Sequence, residues 1–149
     1  MTTSTIHASH LSPAAPADAT HAPPTVSGTP RVILRVEGAA LLIVATLAYA
    51  QLGAAGWGLF AALFFVPDVA FVGYLAGPRV GAAAYNLTHS TLGPALLGLT
   101  GVLLAHPLSI AIALVWAGHV GFDRMFGYGL KHASAFGHTH LGVLRAPGA

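Results

Sequence analysis

The chain has 149 residues, 55% of them hydrophobic and only 7% charged, with a mean hydropathy of +0.73 and no cysteine. A soluble domain carries about 25% charged residues, so this composition excludes an ordinary water-soluble core and makes the bilayer the natural solvent. The net charge of +2 is spread along the chain without a basic patch, which argues against nucleic acid as a partner. Without thiols there is no disulfide framework, and any metal would be held by His, Asp, Glu or Asn.

Residues 1–30 hold five of the ten prolines and are otherwise mostly Thr, Ser, Ala and His. Such a stretch cannot bury enough apolar area to offset its ordering entropy, so a disordered tail is expected. His7, His10 and His21 fall in it, either solvated or as a loose metal-binding run. Residues 31–149 then read as one four-helix transmembrane domain. The first span is expected at about 32–52. Ala48-Tyr49-Ala50 resembles a signal-peptide cleavage site, but the long apolar stretch, the interruption at Glu37 and the thirty preceding residues favour an uncleaved span.

The second span is expected at about 57–76, with Trp57 as an interfacial anchor and a break at Pro67-Asp68. The third is expected at about 80–105, kinked by Pro94. The fourth starts at Pro107, a favoured first-turn residue, and ends near Phe126. Each approaches the ~20 residues needed to cross the hydrocarbon, and short loops make neighbours antiparallel. The glycines at 73, 77 and 81, four apart, read as a packing ridge.

The six Lys and Arg residues set the orientation. Arg31 and Arg35 precede the first span, Arg79 follows the second, and Arg124, Lys131 and Arg145 follow the body of the fourth. All fall on one side, which the positive-inside rule assigns to the cytosol. The expectation is an all-α, four-span bundle of the bacterial inner membrane. It would be multi-pass with both termini cytosolic, and residues after 126 would form a short cytosolic cap. Membrane lipids are the expected partners. A bundle this rich in glycine is compatible with a homo-oligomer, although no residue argues for one.

Ionisable residues inside a membrane usually mark a function. At ~1.5 Å per residue, Glu37, Asp68, Asn86, His89, His119 and Asp123 all lie in the cytosolic half, and every span contributes. Tyr85 and His89 are i,i+4, Asn86 and His89 are i,i+3, and His119 and Asp123 are i,i+4, so each pair shares a helix face. Carboxylates and histidines from facing helices are the ingredients of metal sites in four-helix bundles. Asp68, His89, His119 and Asp123 are the candidate ligands, with His138 and His140 as additional ones. Nitrogen and oxygen donors suit zinc, iron or manganese.

On this reading Glu37 would be the general base for a metal-bound water, and Tyr85, Asn86 and Arg124 would orient ligands or substrate. The enzyme would be a membrane hydrolase acting on a lipid or other amphiphile. Two alternatives remain open from the residues alone. One is a metal-free polar core in a structural or interaction protein. The other is a proton or ion pathway, which the nearly uncharged outer half weakens.

Several blocks carry a resemblance. They are Val66-Pro67-Asp68 with Gly73-Tyr74-Leu75; Gly81 with Tyr85-Asn86 and His89; Gly118-His119 with the run from Asp123-Arg124-Met125-Phe126 to Gly127-Tyr128-Gly129-Leu130-Lys131; and Phe136 with His138-Thr139-His140-Leu141-Gly142. Over about residues 33 to 144 the chain resembles domain-of-unknown-function family 4260, small bacterial membrane proteins. That family often has Ser ahead of the Asp-Arg pair, where this chain has Gly121-Phe122. The resemblance implies an integral membrane protein of about four helices and brings no established activity.

Overall fold

The computed structural model describes residues 25–133 and 137–143. His7, His10, His21, Phe136 and Arg145 lie outside the described residues, as does all but the end of the expected tail. That end is not tail-like: helix α1 (Gly28–Leu52) begins before the expected start at Val32. It stops at Gly53, whose φ of 60° is a left-handed conformation that glycine adopts without a Cβ penalty.

Helix α5 (Pro107–Phe126) is the centre of the molecule, with Ala111, Ala113, Val115, His119 and Val120 buried. Helix α1 lies directly on it. A Cβ added to Gly38 would sit 2.8 Å from the Gly121 carbonyl oxygen, and one added to Gly121 would sit 2.7 Å from the Gly38 carbonyl oxygen. Only glycine at both positions permits this approach. At the far end of the pair Tyr49 packs with Ala111 and Val115, and its hydroxyl donates to the Gly56 carbonyl at 2.8 Å.

The second and third hydrophobic stretches are each broken in the middle. Helix α2 (Trp57–Phe64) passes into a 3-10 helix (Val66–Ala76). Pro67 has no N–H, and its ring clashes with the carbonyl four residues back, so α-helical pairing cannot continue. The chain tightens instead, with the Asp68 N–H on the Phe65 carbonyl at 3.2 Å. The third stretch corrects the expectation of one kinked helix over 80–105. It is two helices, α3 (Pro78–His89) and α4 (Leu92–Leu103). The residue four before Pro94 is Ser90, and Ser90 has left the helix for extended backbone (φ −78°, ψ 149°). A proline ring does not tolerate a helical carbonyl at that place.

The glycine ridge is also revised. Gly73 and Gly81 do approach closely, but Gly77 (φ 107°) is the turn between the 3-10 helix and α3.

After α5, Gly127 (φ 89°) reverses the chain and the Tyr128 N–H returns to the Asp123 carbonyl at 2.8 Å. Strands β1 (His138–Thr139) and β2 (Gly142–Val143) pair antiparallel, and Lys131 bridges to Thr139. This cap folds against the start of α1, where the Val26 N–H donates to the His140 carbonyl at 2.7 Å. The outer surface is apolar, with Val36, Ile43, Leu47, Val69, Leu75 and Leu103 among its exposed residues. Two helical stretches, Gly28–Leu52 and Trp57–Ala76, are long and apolar enough to cross a membrane.

Candidate metal centre

The two helix breaks meet. Asp68 stands in the first turn of the 3-10 helix, just past one break. His89 is the last residue of α3, just before the other. Helix α5 runs past both and presents His119 and, one turn later, Asp123. One donor atom from each of these four residues lies within 4.8 Å of the other three. The His89 and His119 Nε2 atoms are 3.1 Å apart. His89 Nε2 is 3.3 Å from Asp68 Oδ1 and 3.4 Å from Asp123 Oδ2, and His119 Nε2 is 3.6 Å from Asp68 Oδ1. Both histidines are buried, and Asp68 is the most open of the four, its side chain 36% exposed.

The proton count at this point is short. His89 Nδ1 lies 2.9 Å from the Tyr85 carbonyl oxygen. A carbonyl only accepts, so Nδ1 holds the ring proton and Nε2 turns a bare lone pair to its neighbours. Ionised carboxylates also only accept. With both rings neutral and both carboxylates ionised, His119 Nε2 is the one of the four converging atoms that can carry a proton. The four atoms then present lone pairs with at most one proton among them, a donor set that could hold a metal ion. Donors about 2.1 Å from a tetrahedral ion stand about 3.4 Å from one another; the four separations above lie near that value, while the group as a whole spreads over as much as 4.8 Å.

Supporting contacts fix the group. The Tyr85 hydroxyl donates to Asp123 Oδ2 at 2.8 Å, and its ring stacks on His89 at 3.7 Å between centroids. Thr88 Oγ1 donates to the Pro67 carbonyl at 3.1 Å, and Trp116 Nε1 donates to the Thr88 carbonyl. The second bond satisfies a carbonyl that the end of α3 leaves over, and the first ties the two broken segments together. Histidine ligands are usually oriented through their second nitrogen in this way. His119 is the exception, its buried Nδ1 lacking a hydrogen-bond partner among the described residues.

The other candidates are placed elsewhere. Glu37 is exposed on α1 and outside the four-residue group. Asn86 does not face the group. Its amide clamps the Lys131 backbone, donating to the carbonyl at 2.9 Å and accepting from the N–H at 2.7 Å. Arg124 packs its Cβ against Gly38. His140 Nδ1 accepts from the Leu130 N–H at 2.8 Å, and burial pushes its imidazole below the usual value. His138 lies in β1, and neither of these histidines belongs to the group.

Lys131 was not a sequence candidate for the site. It is buried, with Nζ 4.9 Å from the Tyr85 ring centroid and 5.2 Å from that of Phe71. Burial lowers its ammonium from the ordinary value, and the Asp123 carboxylate opposes that. Thr88 and Trp116 were missed too. Their roles depend on where two helix breaks meet, and no spacing within one helix reports that.

The profile of domain of unknown function 4260 (DUF4260) matches residues 31–144, and the chain belongs to that family. No curated protein and no solved structure shows detectable similarity to it.

Proposed function

We propose that this family member is an integral membrane protein that holds a divalent metal ion between Asp68, His89, His119 and Asp123. The convergence of four lone-pair donors within 4.8 Å, with the His89 tautomer set by the Tyr85 carbonyl, carries this reading. Two neutral imidazoles and two carboxylates suit zinc, iron or manganese and make a neutral site with a divalent ion. Four crossings, a bacterial inner membrane and cytosolic termini complete the proposal. The grouping of basic residues supports it: Arg35 donates to the Met125 carbonyl at 2.8 Å and Arg31 packs on Gly127 and Gly142, so the start of α1 and the end of α5 share one end.

When bound, the ion would supply Lewis acidity and an activated water to a hydrolytic reaction on a lipid or other amphiphile. The chain's own residues would do the rest. Tyr85 holds Asp123, the Tyr85 carbonyl holds His89, and Asp68 forms the accessible edge. A metal-free polar core is the second reading, favoured by the unpartnered His119 Nδ1.

Elemental mass spectrometry on untagged, detergent-purified protein separates the two. Near-stoichiometric metal that vanishes in a His119→Ala/Asp123→Ala variant is expected. Equal metal in both proteins, or none in the parent, would overturn the metal reading.

A further inference from the structure

Beside the four-residue group lies a groove of about 280 Å³, almost wholly apolar. Its walls include Leu63, Pro67, Thr88, Leu97, Ile112 and Trp116. It is tied to the group by sequence, since Pro67 adjoins Asp68 and Thr88 adjoins His89. It is tied again on α5, where Ile112, Trp116, His119 and Asp123 stand at i, i+4, i+7 and i+11 on one face. Along that face Trp116 is ~4.5 Å and Ile112 ~10 Å from His119, while Asp123 is ~6 Å the other way. One stripe of a single helix therefore changes from polar to apolar on leaving the donor group.

The walls are fixed. Trp116 is bonded to the Thr88 carbonyl, and Thr88 to the Pro67 carbonyl. Gly93 makes room for the indole, since a Cβ there would lie 2.5 Å from the ring. The volume is near the lower bound of ~300 Å³ for ligand pockets, which suits one hydrocarbon chain better than two.

We propose that this groove holds the single hydrocarbon chain of an amphiphile whose oxygen-bearing head reaches Asp68, His89, His119 and Asp123. The assignment rests on the metal-site reading above and names its substrate class. The head points to the end of the bundle that carries Arg31, Arg35 and Lys131, and the chain points away from it. That is the polarity of a lipid in the leaflet on the basic side.

The chain has two tryptophans, so Trp57→Phe leaves Trp116 as the sole reporter. The probe is dibromostearate, titrated into the detergent-solubilised full chain with Trp116 fluorescence as readout and metal content measured on the same sample. Saturable quenching that unbrominated stearate reverses is expected. Leu97→Phe should weaken it about tenfold, as filling a packed pocket does. Ile112→Phe serves in its place if that variant does not fold.

Linear quenching that stearate does not reverse, equal in parent and groove-filled variant, means contact with bulk amphiphile and overturns the assignment. Saturable quenching in a protein without metal removes the metal reading and leaves the groove assignment standing. Bound metal with linear quenching does the reverse.

Discussion

Tyr85→Phe removes one hydroxyl and leaves the packing intact. The ring keeps its stack on His89 and its place under Lys131. What disappears is the 2.8 Å bond to Asp123 Oδ2. A hydrogen bond to a charged group is worth about 1.5–3 kcal/mol, equivalent to about 10–150-fold in an equilibrium constant. Loss of the partner that orients a ligand typically weakens metal binding about 10–100-fold, so the two estimates overlap. The metal-free protein loses the same bond, however, and affinity reads only the difference between the two states. The expected change is therefore at the low end, about tenfold weaker binding. The remainder appears as a lower melting temperature in chelator. Competition of detergent-solubilised protein against a chromophoric chelator measures the first, and thermal unfolding the second. Affinity within about twofold of the parent, together with an unchanged melting temperature, would refute the role given to the hydroxyl.

Three further outcomes are expected. Asn86→Ala strips both polar groups of the buried Lys131 backbone of their partner. At about 1–3 kcal/mol for each buried group left unsatisfied, the cap should loosen by about 2–6 kcal/mol, read as faster amide exchange at residues 130–131; unchanged exchange would count against the clamp. Gly121→Ala drives a Cβ to 2.7 Å from both the Gly38 carbonyl and the Leu42 nitrogen. Overpacking of this kind costs about 1–3 kcal/mol, and an undiminished melting temperature would mean that α1 does not lie on α5 as described. His140 is depressed below its usual 6.5 by burial, with Arg124 and His132 adding positive charge nearby. Its contribution to stability is therefore fully present above the unfolded value and is lost as pH falls through the folded one. In chelator, the parent should lose more stability than His140→Gln between neutral and mildly acidic pH, and parallel curves would contradict this.

Much of the candidate site was legible because helical spacing is local. The i,i+4 pairs Tyr85/His89 and His119/Asp123 are set by 3.6 residues per turn, and equal depth brought Asp68 to their level. Glu37 met the same depth test and still faces outward. Depth fixes position along a helix axis and leaves rotation about it free. Asn86 shares a turn with His89 yet serves the cap, because a side chain on that face reaches either the bundle centre or the folded-back Lys131 segment. Only the packed cap decides between them.

What the sequence determined by itself was the apolar, helical character of the chain, the break at Pro67, and the level of each polar group. These follow from composition, from the missing proline N–H and from helical rise, all properties of a single segment. The tertiary structure decided that the two breaks face each other, that Thr88 and Trp116 bond carbonyls there, and that Lys131 folds back over Tyr85. It also decided which polar residues turn inward. Those outcomes depend on the rotation and separation of one helix against another, which close approaches such as Gly38 on Gly121 set, and no periodicity within one helix encodes them.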